Sequence, residues 1–309
     1  MKLKQLIYLL LLIGSLLLTG CTTETKQEQP TANVTFADAL GRTVQISAPE
    51  RVGIASGSLA DCWMLAGGEV CAVTRDAVEE RNLDLPEDVI DLGSLKDPSL
   101  EAILAANLDF LILTPSLPSH LAFADTLDQA GITYAYFDVE TFADYLSLMK
   151  ICTDITGRAD LYETNGTVLT AQIEETIETG KRDDAPSVLL LRTSSSRVKV
   201  LDSETMVGAM LKDLGCVNIA DSNSGILTEL SLEGIVDADP DYIFITCMGD
   251  LEEGKAQLAA SLSSNPIWDT LQAVQSGRCH FLEKDLFQYK PNARWGESYE
   301  ILAELLAAN

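Results

Sequence analysis

Ser99-Leu-Glu-Ala-Ile-Leu-Ala-Ala-Asn-Leu-Asp-Phe-Leu-Ile-Leu-Thr114 and Ser231-Leu-Glu-Gly-Ile-Val-Asp-Ala-Asp-Pro-Asp-Tyr-Ile-Phe-Ile-Thr246 are two copies of one helix-then-strand unit. They align without a gap and share seven of sixteen residues, and the Ser, Glu and Asp positions match as well as the apolar ones. A repeat that preserves polar positions points to two related structural units rather than to a shared hydrophobic pattern alone. In each copy Leu100, Ile103 and Leu104, or Leu232, Ile235 and Val236, fall at i, i+3 and i+4 and are expected to face a sheet. The apolar run that follows each Asp reads as a buried strand.

Outward from the repeat, short apolar runs alternate with helix-length segments. Val52 to Ala55, Val70 to Thr74, Phe110 to Thr114 and Tyr134 to Phe137 are expected strands of the first half. Val188 to Arg192, Val198 to Leu201, Tyr242 to Thr246 and Cys279 to Leu282 are those of the second. This is the rhythm of βαβ units, so the expected fold class is α/β: two Rossmann-like lobes with largely parallel sheets. Phe142 to about Glu178 reads instead as helix, with Tyr145, Leu148, Met149, Cys152 and Ile155 on one stripe, then Leu161, Val168, Leu169, Ile173 and Ile177, and Gly157 as a break or cap. A helical spine between two lobes permits only modest lobe movement. Glu101 and Glu233 stand beside the apolar stripe in each repeat, in a first helical turn that favours negative charge. Together they form a pair of solvent-facing negative markers that a twofold-symmetric basic partner can read.

The amino terminus sets the compartment. Lys2 and Lys4 precede an apolar run from Leu6 to Leu18, and Leu18-Thr19-Gly20-Cys21 follows as a lipobox. The run is well short of the roughly 20 residues needed to cross a bilayer. Cleavage before Cys21 and acylation of its thiol would anchor the chain by lipid alone. Thr22 to Thr31 is polar and aperiodic and reads as a tether. The expected organisation is therefore leader 1–20, lipidated cysteine and tether 21–33, N-terminal lobe 34–141, spine 142–180 and C-terminal lobe 181–309. A formal charge of −26 makes nucleic acid an improbable partner. The other cysteines, Cys62, Cys71, Cys152, Cys216, Cys247 and Cys279, form no C-x-x-C pair and no zinc spacing, so each is expected as a buried thiol, with a Cys62–Cys71 disulfide as the alternative.

Lipobox, tether, two α/β lobes, spine and the paired Ser-Leu-Glu helices together resemble the solute-binding lipoproteins of ABC importers for ferric siderophores, haem and cobalamin. Asp38-Ala-Leu-Gly-Arg-Thr-Val44, Arg51-Val-Gly-Ile-Ala-Ser56, Leu65-Ala-Gly-Gly68, Met210-Leu-Lys-Asp-Leu-Gly215, Asn218-Ile-Ala220 and Trp268 to Phe281 carry the likeness, which lies in their order. The resemblance implies a monomeric, extracytoplasmic, lipid-anchored receptor with no resident cofactor. Its small-molecule ligand would be a metal chelate held in a cleft between the lobes, a ferric siderophore before haem or a corrinoid. Its partner would be a permease dimer whose arginines seat Glu101 and Glu233.

Ligands of α/β sheets bind beyond the carboxyl ends of the strands. That rule nominates Ser58, Arg75, Lys96 and His120 in the first lobe and Arg192, Met248, Phe287 and Trp295 in the second. Arg75, Arg192 and Arg294 suit an anionic ligand, while Trp295, Phe287 and Tyr289 suit a flat one. His120 is the candidate axial ligand for a haem or corrinoid metal, against the alternative of a solvent-exposed loop histidine. An enzyme is the competing class, but no G-x-S-x-G, H-E-x-x-H, P-loop or G-x-G-x-x-G is present. A free-metal binder would use several His, and this chain has two. Asp237, Asp239 and Asp241 alternate as in a calcium loop, but Tyr242 and Met248 stand where that loop needs Gly and Glu.

Overall fold

The computed structural model describes residues 33–308 apart from residue 183, so Cys21, the leader and nearly all of the tether lie outside the described residues. Among the described residues no helix is long and apolar enough to cross a membrane.

The chain enters through an antiparallel hairpin, β1 (Val34–Ala37) and β2 (Thr43–Ile46). Its turn is built on Asp38, whose carboxylate accepts from the Leu40 and Arg42 N–H groups at 3.0 and 2.9 Å and from the Arg42 guanidinium at 2.9 and 2.7 Å. The first parallel sheet follows, with β3 (Val52–Ile54), β4 (Ala72–Val73), β5 (Ile90–Asp91), β8 (Phe110–Leu113) and β9 (Thr133–Tyr136) in the order β5-β4-β3-β8-β9. Between them β6 (Gly93–Ser94) and β7 (Asp97–Pro98) form a small antiparallel pair. The second sheet has β11 (Val198–Leu201), β10 (Ser187–Thr193), β13 (Tyr242–Cys247) and β14 (Cys279–Phe281) in that order, with β12 (Val217–Asn218) also on β10. Only β11 runs antiparallel there. Strands such as Phe110–Leu113 and Tyr242–Cys247 are buried along their whole length, as helices on both faces of a parallel sheet require.

The sequence repeat is a structural one, and three of its polar positions do the same work twice. Ser99 and Ser231 cap the helices Leu100–Ala105 and Leu232–Ala238, accepting from the N–H groups of Ala102 at 3.2 Å and Gly234 at 3.1 Å. Asn107 and Asp239, eight residues on in each copy, take left-handed backbone (φ 50° and 40°), which short polar side chains tolerate best after glycine. Asp109 then accepts from the N–H groups of Glu50 and Arg51 at 2.8 and 3.0 Å, at the start of β3. Asp241 accepts from the Ser187 N–H at 2.8 Å, at the start of β10. Each repeat thus ties its own strand to the strand beside it. One apolar position departs from expectation: Leu104, the fifth residue of this six-residue helix, is exposed, and Ala106 is buried instead.

The spine opens with a capping box between Thr141 and Asp144 on the helix Phe142–Thr156, which Gly157 ends in left-handed conformation (φ 70°). The chain resumes as Ala159–Tyr162, a π-helical turn Glu163–Thr167 and the helix Val168–Thr179. Tyr145, Leu148, Met149, Cys152 and Ile155 are buried as the stripe predicts, whereas Val168 is exposed at the junction with the π turn. The last helix, Trp295–Ala307, packs along Val168–Thr179. One apolar core runs from Val52 and Phe110 in the first lobe through Tyr145 and Ile173 in the spine to Val188, Phe244 and Leu302 in the second. The six cysteines among the described residues are free, Cys62 and Cys71 included.

Candidate functional site

The carboxyl ends of the two parallel sheets meet. Asn292, from the segment after β14, donates to the Ser58 carbonyl at 3.0 Å and to Asp61 Oδ2 at 2.8 Å, on the helix after β3. Arg81 donates to the same Asp61 oxygen at 2.7 Å and to the Lys290 carbonyl at 2.8 Å. Lys290 pairs with Glu140, which follows β9, at 2.9 Å. Glu80 has its carboxyl pushed up by burial and by Asp76, while Lys284 from the other lobe draws it down. Polar contacts between side chains far apart in sequence therefore join the lobes, and none of these partners was legible as a pair in the sequence.

Buried polar atoms without a partner gather at the same junction. Thr74 Oγ1, Asp76 Oδ1, Arg192 Nε, Gln288 Oε1 and Asn292 Oδ1 are five of the eight such side-chain atoms among the described residues, the others being Arg278 Nε, His280 Nε2 and Trp295 Nε1. Such atoms are rare in folded proteins because each forgoes hydration without compensation, so a concentration of them marks a place where a ligand or ordered water completes the set. Arg192, at the end of β10, is the charged one. Burial depresses its guanidinium below the ordinary arginine value, and Glu140 across the junction draws it back up.

The nominated residues separate on these terms. Arg192 and Met248 line one pocket of about 470 Å³, with Arg197, Lys199 and the serine run 194–196. Ser58 is half-buried against Asn292. Arg75 is exposed and pairs with Asp91 at 2.8 Å, and Lys96 is exposed, its carbonyl taken by Ser119 at 2.7 Å. Arg294 pairs with Glu297 at 2.6 Å.

Three residues need correction. His120 is fully buried, its Nδ1 accepts from the Thr114 N–H at 3.2 Å, and its Nε2 lies 2.8 Å from the Leu95 carbonyl. A backbone N–H on Nδ1 fixes the proton on Nε2, so both ring nitrogens are spent and neither is free for a metal. Burial also depresses its pKa, which keeps the ring neutral. Phe287 and Trp295 are 1% exposed, and Trp295 packs against Phe142 and Tyr145 of the spine with ring centroids 5.7 and 6.3 Å away. Their apolar area is worth more in the core than on a cleft wall. Tyr289 stays partly exposed under the Lys284 ammonium. Among the described residues no three His, Cys, Asp or Glu are grouped to hold a metal ion.

Glu101 and Glu233 both stand exposed in the first turns of their capped helices.

A family model described as periplasmic binding protein matches residues 54–286. The chain is 23% identical over 286 residues to the ferric-anguibactin-binding protein FatB of Vibrio anguillarum, covering 87% of this chain and 86% of that one. Among solved structures it is similar to the periplasmic catecholate-siderophore binding protein VctP of Vibrio cholerae, with a TM-score of 0.72, 16% identity, and 90% and 100% of the two chains covered. It is likewise similar to S. aureus IsdE complexed with heme, with a TM-score of 0.68, 16% identity, and 84% and 99% covered.

Proposed function

The chain belongs to the periplasmic binding protein family, and on that premise we propose that it is the membrane-tethered receptor of an ABC importer, which captures a chelated metal, a ferric siderophore, between its lobes and delivers it to a permease dimer. It is a binding protein rather than an enzyme, and it acts outside the cytoplasm. The observation that carries the ligand reading is the junction of the two sheets' carboxyl ends, where one buried polar atom of Arg192 and of each of four other side chains lacks a partner. Capture needs no bond made or broken: the ligand supplies those partners and the lobes close on it about the spine.

Arg192, Met248 and Ser58 are the nominated residues we retain for ligand contact, with Arg75 and Lys96 at the rim. Glu101 and Glu233 are the docking pair. The matched caps of their helices support that role, because they hold two carboxylates in equivalent positions on two lobes. Cys21 is the proposed lipid anchor and the receptor is proposed to act as a monomer. Haem or a corrinoid is the second ligand class, supported by Met248, which is 45% exposed, lines the pocket and carries a thioether.

The test is equilibrium binding of the protein lacking its leader to ferric siderophores, haemin, cobalamin and cobinamide. Saturable sub-micromolar binding of one class is expected. Failure of every member to bind a folded sample would overturn the reading.

A further inference from the structure

A cavity of about 540 Å³ shares no lining residue with the pocket of Arg192 and Met248. It lies between the spine, the last helix and the second-lobe helix Met206–Asp213. Its walls are apolar: Phe142 and Leu146 come from one spine helix, Ile173 from the other and Met206 from the second lobe. Trp295 and Tyr299 of the last helix are its most buried members, at 1% and 2% exposure. A concave apolar space of this size suits a small organic molecule when a few polar groups fix its orientation. The polar groups here are of two sorts. Trp295 Nε1 is buried and has no acceptor in the protein, so its N–H is an uncompensated donor. At the rim stand three carboxylates and one ammonium, those of Glu174, Glu204, Asp213 and Lys212. Lys212 is spent on Glu204 at 3.8 Å, and Asp213 accepts from the Tyr299 hydroxyl at 2.6 Å. Among the described residues Glu174 and Asp213 have no cation as partner. Asp213 also ends its helix, where unsatisfied carbonyls carry partial negative charge. A net negative rim over an aromatic interior is the combination that receives an ammonium ion.

We infer that this cavity is a second ligand site, separate from the chelate pocket, for an organic ammonium ion with an apolar body. The body lies against Phe142, Ile173 and Met206, the ammonium meets Glu174 and Asp213, and an ether or carbonyl oxygen of the ligand accepts from Trp295 Nε1. Both spine helices and the second lobe contribute walls, so the occupant braces the pivot between them and stabilises the fold. A carboxylate of the same shape is repelled at the rim.

The experiment is calorimetric titration of the protein lacking its leader with naphthyl ethers of one shape and three charges: naphthyloxyethylammonium, naphthyloxyethanol and naphthyloxyacetate. Thermal unfolding with each is read alongside. The ammonium is expected to bind saturably and raise the melting temperature, about tenfold tighter than the alcohol, and the acetate not to bind; the gap should narrow at high salt. Glu174→Gln should weaken the ammonium severalfold and leave the alcohol unchanged, and Glu174 is exposed, so the fold is kept. Ala209→Phe, which fills the cavity from the helix Met206–Asp213, should abolish binding of both. If that variant misfolds, Glu174→Gln still decides. Equal binding of ammonium and acetate, or an ammonium affinity that Glu174→Gln does not change, overturns the charge assignment. Failure of all three to bind the folded protein, or undiminished binding by folded Ala209→Phe, overturns the site. The receptor reading stands or falls on its own titrations, since the two sites share no residue.

Discussion

Asn292 holds Asp61 across the junction of the lobes: its Nδ2 donates to Asp61 Oδ2 at 2.8 Å although 231 residues separate the two. The contact depends on backbone that asparagine tolerates, since Asn292 is left-handed (φ 52°) and 1% exposed. Asn292→Ala removes the donor to Asp61 and to the Ser58 carbonyl and adds a Cβ penalty, so it is expected to cost on the order of 2 kcal/mol or more. Asn292→Gly loses the same hydrogen bonds but escapes the backbone penalty, and is expected to be about 1 kcal/mol less damaging. Denaturant unfolding of both variants checks the order. An alanine variant as stable as the glycine one would remove the strain from this account.

Reversing both markers, Glu101→Arg with Glu233→Arg, is expected to abolish import by whole cells while leaving ligand affinity in solution unchanged. Both side chains are exposed on capped helices, so stability should move little. Normal import by the double variant would sink the docking assignment.

His120 makes stability depend on pH. Its folded pKa lies below the ordinary value of 6.5 because of burial, so the fold favours the neutral ring and the unfolded chain takes the proton first. The contribution is complete above the unfolded value and is lost as pH falls through about 6.5 towards the folded one. His280 is depressed by burial as well and has the same sign. Unfolding free energy should therefore drop between about pH 7.5 and about pH 5.5, and the drop should shrink in His120→Gln. An unchanged slope would show that other groups set it.

Trp295→Leu separates packing from recognition. With the indole 1% exposed against Phe142 and Tyr145, the change should cost on the order of 2–3 kcal/mol, less than the roughly 3–5 of truncation to alanine. Ligand affinity of the folded variant should match the parent. A clear loss of affinity with stability intact would return Trp295 to the cleft.

Fold was legible where the physics is local and periodic. Phe110 to Leu113 and Tyr242 to Cys247 are continuous apolar runs, and only burial on both faces of a sheet accommodates them. The Ser, Asn or Asp, and Asp positions of the repeat recur because a cap, a left-handed turn and a strand clamp each need a particular side chain. The site was less legible because its contacts are polar and distant in sequence. Nothing near Asp61 or Arg81 announces Asn292, and a single charged residue looks alike whether it is paired or not. His120 was misjudged because Pro118 and the serines around it look like an exposed turn, whereas the Thr114 N–H and the Leu95 carbonyl close over the ring. Phe287 and Trp295 were nominated for their aromatic faces, and the apolar core claimed them.

The unbroken apolar core that passes from Phe110 through Tyr145 to Phe244 also governs how the molecule comes apart. Each lobe has a further apolar cluster of its own, around Leu111 and Ile103 in the first and Leu189 and Ile243 in the second, but cutting the chain would expose the shared one, so separate expression of the two halves should yield insoluble or protease-sensitive fragments. The whole chain should melt in a single calorimetric transition whose van't Hoff and calorimetric enthalpies agree. Evolution of ligand preference is then confined to loops at the rim, because a change that reaches the floor of one half is felt in the assembly of the other.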